Sequence, residues 1–354
     1  MKIYIRATAN ISAQKTFGKV PFLTEPVEYT GNLLRIIEPE YKDIIDPKQI
    51  RRMSRIIRLG VAAASECLKE AGEKDPGAII TGTAYGCLED TDLFLKKIIE
   101  QNEEMLSPTA FIQSTHNTVG AQIALVNNCH QYNNTFVHRG FSFETALFDA
   151  ILFLNENETS NVLVGSADEV SDLSFAILSR FGLYKHTPVS NLELFSSKTR
   201  GTIAGEGAAF FLLANQPAAT DYAQLVATTT FYKPKGLAEM ENQINGFLES
   251  QAINMNDIDL VITGKNGDVK NDALYDQLNG SVFGNKDIIN YKHLCGEYPS
   301  SASFALWLAA NIIKNRKVPA ITGYKGAAKN KLKKVLIYNN YLNVYHSLLL
   351  VSSC

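Results

Sequence analysis

The hydrophobic pattern changes period repeatedly along the chain, and each change marks an element. In RRMSRIIRLGVAAASECLKEAG, Ile57, Val61, Ala64 and Leu68 recur at i, i+4, i+7 and i+11, one face of a helix, and Gly72 supplies the stop. GAIITGTAYG reads as a β run ending in glycines, CLEDTDLFLKKIIEQ as a helix, and residues 117–126 as a further helical stretch. NNTFVHRGFSFETALFDAILFL, from Asn133 to Leu154, joins a β-branched and aromatic strand to an amphipathic helix through a sharp turn. NVLVGSADEVS and GEGAAFFLLA read as buried strands on either side of a polar, Ser-rich connection around 188–201.

From about Ala223 the pattern begins again. AQLVATTTFY is a strand, GLAEMENQINGFLESQ a helix, IDLVITGKNGD a strand ending in glycines and NDALYDQLNG a short helix. Ile79-Ile80-Thr81-Gly82 and Val261-Ile262-Thr263-Gly264 match almost letter for letter in the same helix–strand–loop–helix setting. Strands alternating with helices, with apolar runs of four to six residues, imply sheets covered on both faces. The expectation is an α/β protein of two similar halves, residues 1–215 and 220–354, packed as one duplicated unit.

Composition narrows the class. The 354 residues are 45 % hydrophobic and 20 % charged with a net charge of −2, a globular balance that gives no reason to expect nucleic acid as a partner. The start, MKIYIRATANIS, lacks the apolar run of a secretory signal. The most apolar stretch, VLIYNNYLNVYHSLLLVSSC, is interrupted by Asn339, Asn340, Asn343 and His346, so no membrane span is expected. Five scattered cysteines without a CxxC pair suit neither a disulfide framework nor a zinc site and point to reduced thiols in the cytoplasm. No metal and no cofactor are expected.

A strand feeding a helix through a tight turn is where α/β enzymes mount a nucleophile, at a helix N-terminus that favours negative charge. Here the turn is Arg139-Gly140-Phe141-Ser142, with glycine at the reactive position. Alternation along the strand would place His138 on the same face as Gly140. His116 is the other imidazole close in sequence. Ser142 has no evident His/Asp partner and reads as a helix N-cap. Cys129 and Cys295 are candidate nucleophiles that read better as structural. The basic residues Lys314, Arg316, Lys317, Lys325, Lys329, Lys331, Lys333 and Lys334, and the helix-face series Arg51, Arg52, Arg55 and Arg58, read as solvated faces that could also steer an acidic partner.

Several longer stretches carry a resemblance: IRRMSRIIRLGVAAASECLKEAG, IITGTAYGCLEDTDLFL, SPTAFIQSTHNTVGAQIAL, VLVGSADEVS and GTIAGEGAAFFLLA resemble β-ketoacyl synthases, the condensing enzymes of fatty-acid and polyketide assembly. The resemblance implies a thiolase-like duplicated α-β-α-β-α layered fold. It also implies a cysteine that holds the acyl chain and two histidines that drive decarboxylation and stabilise enolate and oxyanion. Ungapped comparison puts Gly140 at the cysteine, Gly264 at the first histidine and Glu297 at the second. Lys292 and Gly296 of the second motif are kept, as is Asp272, while Asn340-Tyr341-Leu342-Asn343 replaces a glycine-rich turn. An ionised Glu297 would oppose a developing enolate.

What the resemblance then implies is a non-catalytic subunit of the chain-length-factor type. It would pair with an active ketosynthase to shape an acyl tunnel, with an acyl carrier protein as client. Phe141, Phe143 and Phe148 would line the tunnel or interface, and His116, His138, Lys292 and Asp272 would be a residual site. FIQSTHNTVGAQIAL is similar to relatives from aryl-polyene and flexirubin-type pathways. Two alternatives stay open: an active 3-oxoacyl-[acyl-carrier-protein] synthase, and a scaffold homodimer.

Overall fold

The apolar stripe at Ile57, Val61, Ala64 and Leu68 becomes one buried face of helix α1, Arg55–Ala71. Gly72 closes it in the left-handed conformation, φ +69°, which a side chain would oppose. In the computed structural model, which describes residues 2–156, 158–324, 326 and 332–354, the elements used below follow in order. They are β1 (Ile3–Ile11), α1, β2 (Ala78–Gly82), α2 (Leu88–Glu100), α3 (Pro108–Ser114), α4 (Thr118–Asn127), β3 (Tyr132–Phe136), α5 (Ser142–Asn155), β4 (Asn161–Asp168), α6 (Asp172–Arg180) and β5 (Gly207–Ala214). The second half runs β6 (Ala223–Tyr232), α7 (Leu237–Ser250), β7 (Leu260–Thr263), α8 (Val269–Gly280), β8 (Asp287–Asn290), α9 (Lys292–Cys295), α10 (Ala302–Asn315), β9 (Lys334–Tyr341) and β10 (Tyr345–Ser352).

The ten strands hydrogen-bond in the order β8-β7-β9-β10-β6-β1-β5-β4-β2-β3. Read outwards from the antiparallel β1–β6 contact, both halves repeat one scheme. The first strand pairs antiparallel with the fifth, the fifth antiparallel with the fourth, the fourth parallel with the second and the second parallel with the third. The matching tetrapeptides of β2 and β7 therefore occupy equivalent places.

Three large apolar clusters hold the layers together, the middle one filling both sides of the central helix layer. α1 and α4 cover the outer face of the first half-sheet, and α7 and α8 cover that of the second. α5 and α10 lie between the half-sheets in a shared core that takes residues from both, including Phe143, Phe211, Ile262 and Leu349. Strands buried on both faces lose the alternation that marks a half-exposed strand. That is why β1, read from sequence only as a non-signal N-terminus, and the β9–β10 hairpin, read only as an interrupted apolar run, carried no strand prediction. Asn339, Asn340 and His346, which interrupt that run, are buried in the hairpin. Among the described residues no helix is long and apolar enough to cross a membrane.

Candidate functional site

The elbow forms where β3 stops at Phe136, before His138. The expected strand-face relation between His138 and Gly140 therefore does not hold, because residues 139–141 are a 3-10 turn. Arg139 adopts φ +49°, a conformation that costs an ordinary side chain energy. Ser142 is the first residue of α5 rather than its N-cap. Its hydroxyl donates to the Arg139 carbonyl and accepts from the His138 N–H, each at 2.8 Å, and so stitches the turn.

Gly140 is buried, and the space a side chain would need is taken. A Cβ there would lie 2.8 Å from both Cβ and Cγ of Tyr345 and 3.0 Å from Cδ1 of Tyr341. These tyrosines flank the β9–β10 turn, where Leu342 and Asn343 hold φ +59° and +54°. Phe141 meets Tyr345 edge-on with ring centroids 5.0 Å apart. The turn is thus packed shut by the far end of the chain.

The loop after β7 begins only past Gly264. Gly264 is still tied to the sheet, its N–H donating to the Tyr338 carbonyl at 2.9 Å, and a Cβ would strike Asn339 Oδ1 at 2.3 Å. The side chain this loop delivers is that of Asn266, whose Nδ2 donates to Glu297 Oε2 at 2.6 Å. Asp272 sets the loop by accepting the N–H groups of Asn266 and Gly267, both at 2.9 Å. Burial pushes Asp272 up to about 6 against the pull of those N–H groups and of Lys265. Lys185 grips the other side, donating to the Gly267 carbonyl and Thr199 Oγ1, both at 2.9 Å. Asp272 belongs to this loop as its anchor. The Asn-Gly pair at 266–267, a strong turn signal, could have placed the loop two residues later.

Glu297 and Lys292 form a buried, two-pronged ion pair: Nζ lies 2.8 and 2.9 Å from the two carboxylate oxygens, with the Asn340 carbonyl accepting a third bond at 3.1 Å. Burial pushes the Glu297 carboxyl above its ordinary range, while the Lys292 ammonium and the Asn266 amide pull it back. The chain reaches this geometry through Gly296, φ +75°, whose backbone crosses Gly205 so closely that a Cβ would lie 2.5 Å from the Gly205 Cα. A Lys–Glu pair with its donors and acceptors already satisfied offers no free base.

Two crevices meet at this pair, sharing Tyr184, Glu297 and Tyr341. One, about 330 Å³, is lined by Arg200, Asn266 and Asn343; the other, about 170 Å³, by Tyr85, Val170 and Leu178. Asp168 braces the second. It accepts from Thr83 Oγ1 and the Ala84 N–H on one oxygen, and from the Ser300 N–H and hydroxyl on the other. Beside it, burial pushes Glu169 up to about 8.

The remaining candidates scatter. His116 is exposed and sits over Gly86, and His138 is exposed with its ring on Phe141, so neither joins Lys292 and Glu297. Two buried imidazoles that the sequence reading passed over also turn away. His293 pairs with the Ile321 carbonyl at 2.8 Å and His346 with Tyr338 Oη at 2.9 Å, and burial pushes each down to about 4. Cys129 and Cys295 are buried, and burial raises both thiols, which disfavours the thiolate a nucleophile needs.

Phe143 is wholly inside the middle core, against Phe211, rather than at a tunnel or interface; Phe148 is half-buried and Phe141 packs on the hairpin. The arginine series is not one helix face, since Arg51 and Arg52 precede α1. Arg55 is committed to buried Glu206, and Arg58 covers the Tyr41 ring. Lys314 donates to the Thr220 and Asp221 carbonyls; Lys325, Lys329 and Lys331 lie outside the described residues. Among the described residues no His, Cys, Asp and Glu group could hold a metal. A surface the sequence reading did not single out emerges on α2 and α3, where Leu95, Ile99, Phe111 and Ile112 are exposed, with Met105 on the connection between them.

Residues 37–199 match the family described as "Beta-ketoacyl synthase, N-terminal domain". Sequence comparison with curated proteins finds no match. Among solved structures, the ishigamide ketosynthase/chain length factor superposes with a TM-score of 0.81 at 16 % identity, covering 100 % of this chain and 99 % of that one. A β-ketoacyl synthase from Burkholderia phymatum STM815 gives 0.81 at 15 % identity, with 100 % and 99 % covered. A ketosynthase in complex with its chain length factor from Xenorhabdus doucetiae gives 0.77 at 15 %, with 100 % and 98 % covered. Residues 37–199 thus match a β-ketoacyl synthase N-terminal domain, in a chain whose thiolase-like fold superposes on ketosynthase structures over its whole length.

Proposed function

We propose that this chain is a non-catalytic ketosynthase-like subunit that pairs with an active ketosynthase in fatty-acid or polyketide-type chain assembly and helps bound the space into which the acyl chain grows. One observation carries it: position 140 has no side chain, and Tyr341 and Tyr345 occupy the place where one would project. The same conclusion is supported by the second motif, where Glu297 is neutralised by Lys292 and Asn266 instead of leaving an imidazole free. A condensing step needs a group to carry the acyl chain and donors for the developing oxyanion; here the first has no atom and the second faces a carboxylate.

The pairing rests on surface chemistry. Leu95, Ile99, Met105, Phe111 and Ile112 stand exposed on α2, α3 and their connection, and β3 ends the sheet with one open edge. Apolar residues so grouped mark an association surface. Two of the similar structures are described as joining a ketosynthase with a chain length factor, and a third, at 14 % identity, as an acyl-carrier protein with its ketosynthase. An acyl carrier protein is accordingly proposed as the client of the assembly, in an aryl-polyene or flexirubin-type pathway.

The test is co-expression with a cysteine-bearing ketosynthase from the same gene neighbourhood, followed by native mass spectrometry and acyl loading. The expected result is a 1:1 heterodimer in which only the partner is acylated. A lone homodimer would favour the scaffold reading, and acylation of this chain would favour an active synthase.

A further inference from the structure

Away from the elbow, a cavity of about 470 Å³ opens between the segment that follows β1, the end of α1 and the C-terminal half of α10. It shares no lining residue with the two crevices beside Glu297 and is larger than either. Its volume falls within the roughly 300–1,000 Å³ of small-molecule sites.

One wall is a strap pinned at both ends. At the first, the Thr16 hydroxyl donates to the Asn10 carbonyl at 3.1 Å. At the second, Leu23 is buried with φ +44°. Between them Gly18 turns at φ +74°, its carbonyl accepting the Val20 N–H at 2.9 Å. The rim carries Lys15 and Lys19, both exposed and without an ion-pair partner among the described residues.

On the α10 side, Lys314 Nζ donates to the Thr220 and Asp221 carbonyls at 2.7 and 3.1 Å, which leaves one of its three N–H groups for a ligand. The same ammonium stands 5.3 Å over the Tyr222 ring. Glu70, the one acid among the described lining residues, is already engaged: it accepts the Thr8 N–H at 2.9 Å and the Tyr222 hydroxyl. Three lysines against one committed carboxylate leave the cavity positive.

Its floor is aromatic. Tyr222 and Trp307 line it with Phe22, whose ring meets Trp307 edge-on with centroids 5.6 Å apart. Thr8, only 8 % exposed, lines it too, and its hydroxyl has no hydrogen-bond partner. A buried hydroxyl left unpaired costs free energy that a bound polar group would recover.

We propose that this cavity binds a small anion with an aromatic body, its ring against Tyr222 and Trp307 and its charge among Lys15, Lys19 and Lys314. Ammonium groups hold an anion through charge-assisted hydrogen bonds, and flat apolar rings pack on aromatic side chains. Carboxylate and phosphate meet the lysines in the same way, so an aromatic carboxylate and a nucleoside phosphate are the two sources of such a ligand. The site does not depend on the pairing reading above.

Trp307 is the only tryptophan in the chain, so its fluorescence reports on this cavity alone. The full chain is titrated with adenosine 5′-monophosphate and, separately, with benzoate, beside their uncharged relatives adenosine and benzamide. At least one of the two anions should change the Trp307 emission saturably, with a Kd below about 1 mM. Its uncharged relative should bind at least about tenfold more weakly. Which anion binds more tightly identifies the source. Combining Lys15→Ala with Lys19→Ala should lower the affinity about tenfold or more and leave thermal unfolding unchanged. Saturation by neither anion, or an affinity that loss of the ligand's charge or of the two lysines leaves untouched, would overturn the site.

Discussion

Placing a cysteine at position 140, where the resemblance would put a nucleophile, is the sharpest perturbation. In Gly140→Cys the new Cβ would sit 2.8 Å from Tyr345 Cβ and Cγ and 3.0 Å from Tyr341 Cδ1, before the sulfur is considered. Non-bonded carbons prefer about 3.5–4.0 Å, so the hairpin must retreat by something like an ångström. The β9–β10 pair is hydrogen-bonded along its length and buried on both faces, which leaves it little freedom to do so. Overpacking of this kind costs roughly 1–3 kcal/mol, and in a chain of this size that lowers Tm by about 1–4 °C. Tyr345→Ala opens the space, so the double variant should be less destabilised than the two single changes summed, with a coupling of order 1 kcal/mol. The assay pairs thermal unfolding with acylation by a mass-tagged acyl thioester. Gly140→Cys alone should melt lower and stay unacylated, because the described atoms nearest a Cβ at position 140 belong to Tyr345 and Tyr341, which supply no base to activate the thiol. A Gly140→Cys protein that melts with the wild type and takes up acyl groups as readily as an active ketosynthase would refute the account of the packed-shut elbow.

Lys292→Met leaves Glu297 buried without its cation and should cost about 3–5 kcal/mol in denaturant unfolding, while the double change with Glu297→Leu should recover most of that loss. If the single variant matches wild-type stability, the ion pair does not hold the site. Asp168→Ala strands four donors, the Thr83 and Ser300 hydroxyls and the Ala84 and Ser300 N–H groups; a loss of roughly 3 kcal/mol is expected, and a loss below about 1 kcal/mol would contradict the bracing role. Phe111→Glu, at an exposed site on α3, should change monomer stability by less than about 0.5 kcal/mol yet weaken pairing with the co-expressed ketosynthase at least tenfold in analytical ultracentrifugation. Unchanged pairing would place the interface elsewhere.

How much could be read before folding differs by element. The stripe of α1, the strand-to-helix turn at Gly140 and the repeated tetrapeptides of β2 and β7 were legible because each is written within a few consecutive residues, at the spacing of a helical turn or a pleat. The pairing of Glu297 with Lys292 was not read from the sequence, although the two stand only five residues apart. β1 and the β9–β10 hairpin were not, because central strands with both faces covered lose the alternation that announces a strand. Asn266 was missed because Gly264, where the counting landed, is still tied to the sheet; it took the Asp272 carboxylate, closing on two backbone N–H groups, to show which residue reaches Glu297.

The sequence by itself determined the alternation of elements, their duplication and the missing side chain at position 140, since those follow from local periodicity and residue identity. Only the tertiary structure decided what that absence means. Whether a glycine leaves an open pocket or a filled one depends on residues distant along the chain, and here Tyr341 and Tyr345 are carried over it by the pairing of the last two strands. Side-chain packing between distant segments sets that outcome, because close-packed interiors leave no room for two occupants of one volume.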